Sequence, residues 1–73
     1  MRGALQRGFR FADFEAAIAF VNRLAEVAEA ANHHPEIHVS WNAVTVRWTT
    51  HTKHAITERD IELAAQTNKL ATA

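Results

Sequence analysis

No cysteine occurs in the 73 residues. Disulfides, thiolate chemistry and zinc sites of the finger type are therefore excluded. Proline occurs once and glycine twice, so Pro35 stands out as punctuation. Neither charge prevails, because eight Lys and Arg offset eight Asp and Glu. That balance lacks the basic footprint of a protein that binds nucleic acid or an anionic membrane. No apolar run approaches the roughly 18 residues of a membrane span. The N-terminal "MRGALQRGFRF" has no continuous apolar stretch of the kind a secretory signal needs. One soluble cytoplasmic domain over residues 1–73 is expected, with no nucleic acid and no membrane as partner. Repeats, linkers and low-complexity segments are not found.

What the chain does have is a hydrophobic fraction of 48%, ample for a globular core. A domain this size buries only about 60% of its unfolded surface. With no staple available, self-association is the expected source of extra stability.

Periodicity sets the elements. Leu5, Phe9 and Phe11 alternate with Gln6, Gly8 and Arg10, which reads as a half-buried strand weakened by Arg7 and Gly8. Asp13 offers an N-cap oxygen to a long helix. Phe14, Ala17, Ile18, Val21, Leu24, Ala25 and Ala28 form its main stripe, while Phe20, Val27 and Ala31 extend it around a second side. A stripe this wide exceeds what one small sheet covers, so Phe20 and Val27 are expected at a subunit interface. The helix should stop near Asn32, ahead of Pro35. Ile37, Val39 and Trp41, then Val44, Val46 and Trp48, read as an antiparallel hairpin with a turn at Asn42. After the polar "THTKHA", Thr57 caps a second helix, with Asp60 three residues on in a variant of the capping box. Ile61, Ala64, Ala65 and Asn68 are expected on its inner side. The fold class predicted is α+β, an antiparallel sheet with helices packed on one face, in the order β-α-β-β-α.

"NHHPEIH", Asn32 to His38, holds three of the five histidines. Glu29, His33, His34, His51 and Asp60 all fall at element ends, where functional groups are usually mounted on a scaffold. Imidazoles with an unperturbed pKa near 6.5 can exchange protons at neutral pH. Each residue also has a plain structural role available. Asp60 suits a helix N-terminus, Glu29 a solvated helix face, His38 an exposed strand, His54 a loop, and His33 with His34 the end of a helix. It is their concentration that points to a site. A metal centre is not expected, since adjacent histidines point apart and no H-E-x-x-H pattern occurs. His33 and His51 lie outside the apolar stripes, so replacing them is expected to spare the fold.

"EAANHHPEIHVSW", followed by "TTH" and "TERD", resembles the pterin-4a-carbinolamine dehydratase family. Glu29, His33, His34, Pro35, Trp41, His51 and Asp60 fill the family's motif positions, and the flanking strand and helix are similar too. Two departures stand out. The chain begins too late for the N-terminal helix and strand that most members carry, which would alter one sheet edge and one wall near the pterin. Lys53-His54-Ala55-Ile56 also replaces a small glycine-containing turn.

The resemblance implies a hydro-lyase, 4a-hydroxytetrahydrobiopterin dehydratase. Such an enzyme converts 4a-hydroxytetrahydropterin to quinonoid dihydropterin in tetrahydrobiopterin recycling, without metal or other cofactor. It implies His33 and His51 as the acid–base pair and His34 as a pterin-orienting group. Glu29 would tune an imidazole, Asp60 with Arg59 would support His51, and Pro35 and Arg59 would help to hold the substrate. Homodimers or homotetramers are implied as well. Relatives also serve as protein partners, as dimerisation cofactors of a homeodomain transcription factor or as RuBisCO assembly factors. A non-catalytic binding or assembly role is therefore the alternative.

Overall fold

The computed structural model describes residues 3–50 and 56–72. Its elements are β1 (Leu5–Arg10), α1 (Phe14–Ala31), β2 (Glu36–Ser40), β3 (Ala43–Trp48) and α2 (Glu58–Thr72), the order read from the sequence. The three strands form one antiparallel sheet in the order β1-β3-β2. The most apolar strand, β3, lies in the middle. Its Val44, Val46 and Trp48 are buried, and they face Phe9, Arg7 and Leu5 of β1 on one side and Val39 and Ile37 of β2 on the other. Residues that pair across an antiparallel ladder share a face. The opposite face accordingly carries Gln6, Arg10, His38, Thr45 and an Arg47–Glu36 ion pair. Arg7 is tolerated on the apolar side because its guanidinium lies over the Phe9 ring, 5.2 Å from the centroid.

The first helix starts where Asp13 accepts a 2.8 Å hydrogen bond from the Ala16 N–H, as an N-cap should. Its buried stripe is Ala17, Phe20, Leu24 and Ala28. Phe20 is 0% exposed and touches Phe9 and Phe11, with ring centroids 5.2 and 5.0 Å away. The expectation of Phe20 at a subunit interface is thus overturned, and Val27 also packs against this core. The helix is apolar on two sides, so its period alone cannot choose the centre of the stripe; the aromatic residues of β1 choose it. Phe14, at 51% exposure, lies at the margin instead.

Two further shifts follow from the packing. Trp41 is not the last inward residue of β2. Ser40 pairs with Ala43, which puts Trp41 in the hairpin turn at φ 52, 68% exposed. Asn42 holds that turn against the end of β1, its side-chain amide donating to the Phe11 carbonyl at 2.9 Å. In α2 the inner face is Asp60, Leu63 and Thr67, while Ile61, Ala65 and Asn68 are exposed. The helix is turned by about one residue from the apolar reading, because two polar side chains have polar partners inside.

Replacing Phe20 with Ala is expected to cost about 3–5 kcal/mol, a large share of what so small a domain has. Phe14→Ala should cost under about 1 kcal/mol. Urea denaturation of both variants measures the difference, and equal losses would contradict the core described.

Candidate active site

The end of α1 and the start of α2 bring two distant residues together. Asn32 adopts the left-handed conformation (φ 50, ψ 42), which asparagine tolerates better than most residues. Its N–H bonds the Glu29 carbonyl at 3.1 Å, and the next N–H, of His33, bonds the Ala28 carbonyl at 3.1 Å. This pair of bonds is a Schellman stop, and it leads the chain back towards the core. The His33 ring then stacks on the Trp48 indole, with centroids 5.7 Å apart and planes 16° from parallel. Trp48 is itself fixed. Its indole N–H donates to the Thr67 hydroxyl at 3.0 Å, and that hydroxyl donates to the Leu63 carbonyl at 2.6 Å.

Asp60 arrives from the first turn of α2. One carboxylate oxygen, Oδ2, accepts the Thr57 N–H and the Thr50 hydroxyl, both at 2.8 Å. The other, Oδ1, lies 2.6 Å from Nε2 of His33. Asp60 is 0% exposed and the His33 side chain 11%. Burial alone would raise the Asp60 carboxyl. The hydrogen bonds from His33, the Thr57 N–H and Thr50, with the coulombic pull of His33, outweigh burial and hold it below its ordinary value of 3.8. An ionised carboxylate can only accept hydrogen bonds, so Nε2 of His33 carries the shared proton. In the neutral ring Nδ1 is then the nitrogen with a free lone pair.

The remaining candidates fall around this dyad. His34 Nε2 meets Glu29 Oε1 at 3.0 Å, with both side chains largely exposed. Pro35 follows, half-buried. The Arg59 guanidinium donates to the carbonyl of Ala31, the last residue of α1, and so ties the two helix ends together. His38 sits opposite Thr45 on the sheet face away from the helices. His51, His54 and the segment from Lys53 to Ala55 lie outside the described residues, and so does any contact of Asp60 with His51. Within the described residues the imidazole partner of Asp60 is His33. The expectation that His33 lies clear of the core is overturned by its stacking on buried Trp48. Neither periodicity nor spacing signalled a contact between residues 33 and 60, which are 27 positions apart; only the Thr57–Asp60 spacing signalled part of the network. Thr50 lay inside the quoted "TTH" without a role of its own, and Thr67 carried no signal. Among the described residues no three His, Asp or Glu side chains are gathered to hold a metal ion. A cavity of about 160 Å³ between β1 and α2 borders Trp48 and Thr67, the residues behind the imidazole.

A short sheet carrying two helices, with a histidine–aspartate dyad at their junction, defines a class that comparison with known proteins identifies. Residues 1–70 match the family model described as pterin 4 alpha carbinolamine dehydratase. The chain belongs to that family. It is 52% identical over 67 residues to a protein from Thermosynechococcus vestitus provisionally named pterin-4-alpha-carbinolamine dehydratase, covering 92% of this chain and 70% of that one. A similarly named protein from Thermomicrobium roseum is 52% identical over 68 residues, 93% and 73% of the two chains. Among solved structures, a transcriptional coactivator/pterin dehydratase from Brucella melitensis superposes with a TM-score of 0.91 at 40% identity, over 96% of this chain and 74% of that one. A pterin dehydratase-like protein described as a RuBisCO assembly factor in the alpha-carboxysome superposes at 0.80 with 26% identity, over 93% and 79%.

The Asp60 geometry fixes a pH dependence. Its folded pKa is lowered, so the unfolded chain takes up the proton first as acid is added. The stability it contributes is full above the ordinary carboxylate value and is lost as pH falls through the folded one. Asp60→Asn is therefore expected to lose less stability than the parent protein between about pH 5 and pH 3. Thermal melts across that range measure it, and parallel curves would contradict an ionised, bonded Asp60.

Proposed function

We propose that this protein dehydrates 4a-hydroxytetrahydropterin to quinonoid dihydropterin, with His33 and His51 as the acid–base pair and residues 1–73 acting as one domain. The observation that carries the reading is the buried Asp60 carboxylate bonded to His33 Nε2. Family membership and the names of the relatives support it.

The chemistry asks for little more. In the substrate a hydroxyl on C4a sits beside N5–H. As a base removes the N5 proton, the N–H electron pair forms the C4a=N5 double bond, the C4a–O bond breaks, and the departing oxygen takes a proton and leaves as water. No electrons are exchanged with a second reagent. His33 suits the base. Nε2 is committed to Asp60, Nδ1 can accept the proton, and the carboxylate stabilises the imidazolium that forms. His51 is then the proton donor to the hydroxyl. His34, paired with Glu29 in the open, can offer a hydrogen bond to the pterin edge without being consumed by the core. Pro35 adjoins it, and Arg59 keeps the two helix ends together beside the substrate.

His51→Ala should lower turnover by about 100- to 10,000-fold with the fold intact, since a general acid or base is worth that much. His33→Ala should lose as much turnover and also about 3 kcal/mol of stability, because it strands a buried charge. His38→Ala should change neither. A dehydration assay on synthetic 4a-hydroxytetrahydropterin, with urea denaturation alongside, separates these outcomes; wild-type rates in both His33 and His51 variants would sink the assignment. An inactive parent protein with the dyad intact would instead support the assembly-factor reading that one structural relative suggests.

A homodimer, or second a homotetramer, remains part of the proposal, now on different residues. Exposed Phe14, Trp41 and Ile61 replace Phe20 and Val27 as the apolar surface available for it. Light scattering at micromolar concentration should show a mass above 8.2 kDa that Phe14→Lys reduces. A monomer in the parent protein would contradict association.

A further inference from the structure

Asp60 does not stand alone opposite His33, because a chain of two hydroxyls ends on its other oxygen. The Thr50 hydroxyl lies 2.8 Å from Asp60 Oδ2 and also 2.8 Å from the Thr57 hydroxyl. Thr57 Oγ is farther from the same carboxylate oxygen, at 3.3 Å. Each hydroxyl has one proton to give. The assignment that uses every proton at the shorter distance has Thr57 donating to Thr50 and Thr50 donating to Asp60. Together with the Thr57 N–H on Oδ2 at 2.8 Å, this chain saturates one carboxylate oxygen and leaves the other, Oδ1, turned to the imidazole. Such hydroxyl chains strengthen each member by polarisation.

We propose that Thr50 is a positioning residue of the active site: its hydroxyl locks the Asp60 carboxylate so that Oδ1 holds the His33 Nε2 proton and leaves Nδ1 free to react. The proposal rests on the dehydratase reading for its effect on turnover, but its effect on the dyad is independent of any substrate. Thr50 also immediately precedes His51. One residue therefore carries both the hydroxyl that fixes the first proposed imidazole and the peptide bond that leads to the second. Without that hydroxyl Oδ2 keeps the Thr57 N–H at 2.8 Å and only the longer, 3.3 Å approach of the Thr57 hydroxyl, so the carboxylate is held less tightly and holds the ring proton less steadily.

Thr50→Val keeps the shape and removes the donor, and Thr50→Ser keeps the donor. Two readouts are needed, kcat and KM on 4a-hydroxytetrahydropterin, and solvent exchange of the His33 Nε2 proton followed by nitrogen-15 NMR on the substrate-free protein. In Thr50→Val the ring proton is expected to exchange at least tenfold faster than in the parent protein. Its kcat should fall roughly tenfold, the low end of what outer-shell partners contribute at metal-bound imidazoles, with KM little changed. Thr50→Ser should restore both. Unchanged exchange in Thr50→Val overturns the proposal, and so does a serine variant as impaired as the valine one. If the parent protein shows no turnover but exchange still accelerates in Thr50→Val, the positioning role stands and the dehydratase reading falls. If the parent protein is active and Thr50→Val matches it in both readouts, the positioning role falls and the dehydratase reading stands.

Discussion

A carboxylate with no access to solvent has to be matched on every side, and Asp60 constrains the whole molecule through that requirement. An unpaired charge at this depth would cost several kcal/mol. The partners that prevent it come from three separate places: His33 beyond α1, Thr50 beyond β3, and Thr57 at the head of α2. Satisfying one side chain therefore fixes the relative positions of both helices and the central strand. Arg59 adds a second tie between the helix ends through the Ala31 carbonyl.

The same demand explains why polar residues occupy the inner face of α2. Thr67 is buried because Trp48 brings an indole N–H into the core that needs an acceptor. Asp60 is buried because His33 and two threonines meet it there. Stacked on Trp48 and bonded to Asp60, the His33 ring is held in plane and in tautomer before any substrate arrives. Preorganisation of this kind lets a proton transfer proceed without first ordering the groups involved. Structure and proposed chemistry draw on one set of contacts, so a variant of His33 is expected to lose stability and the proposed activity together.

How much of this was legible depends on whether the determining contact was local. The order β-α-β-β-α followed from period-two and period-3.6 patterns that each lie within one element. The Asp13 cap and the Thr57–Asp60 box were readable because their partners are three residues apart. The stripe of α1 was not, because that helix offers apolar residues on two sides and the choice is made by Phe9 and Phe11 from another element. Trp41 misled by continuing an alternation past the point where the Ser40–Ala43 pair closes the hairpin. For the site, the motif residues were legible as a cluster. That His33 rather than His34 turns inward was not, since it depends on the left-handed Asn32 and on a carboxylate 27 residues away.

The central claim is that His33 and Asp60 act as one unit. A double-mutant cycle tests it directly, with His33→Gln, Asp60→Asn and the pair compared for kcat on 4a-hydroxytetrahydropterin and for unfolding free energy. Residues that work as a unit are strongly non-additive. The double variant is expected to be little worse than the worse single variant in both measurements. Losses that simply add, in turnover and in stability alike, would show two independent residues and contradict it.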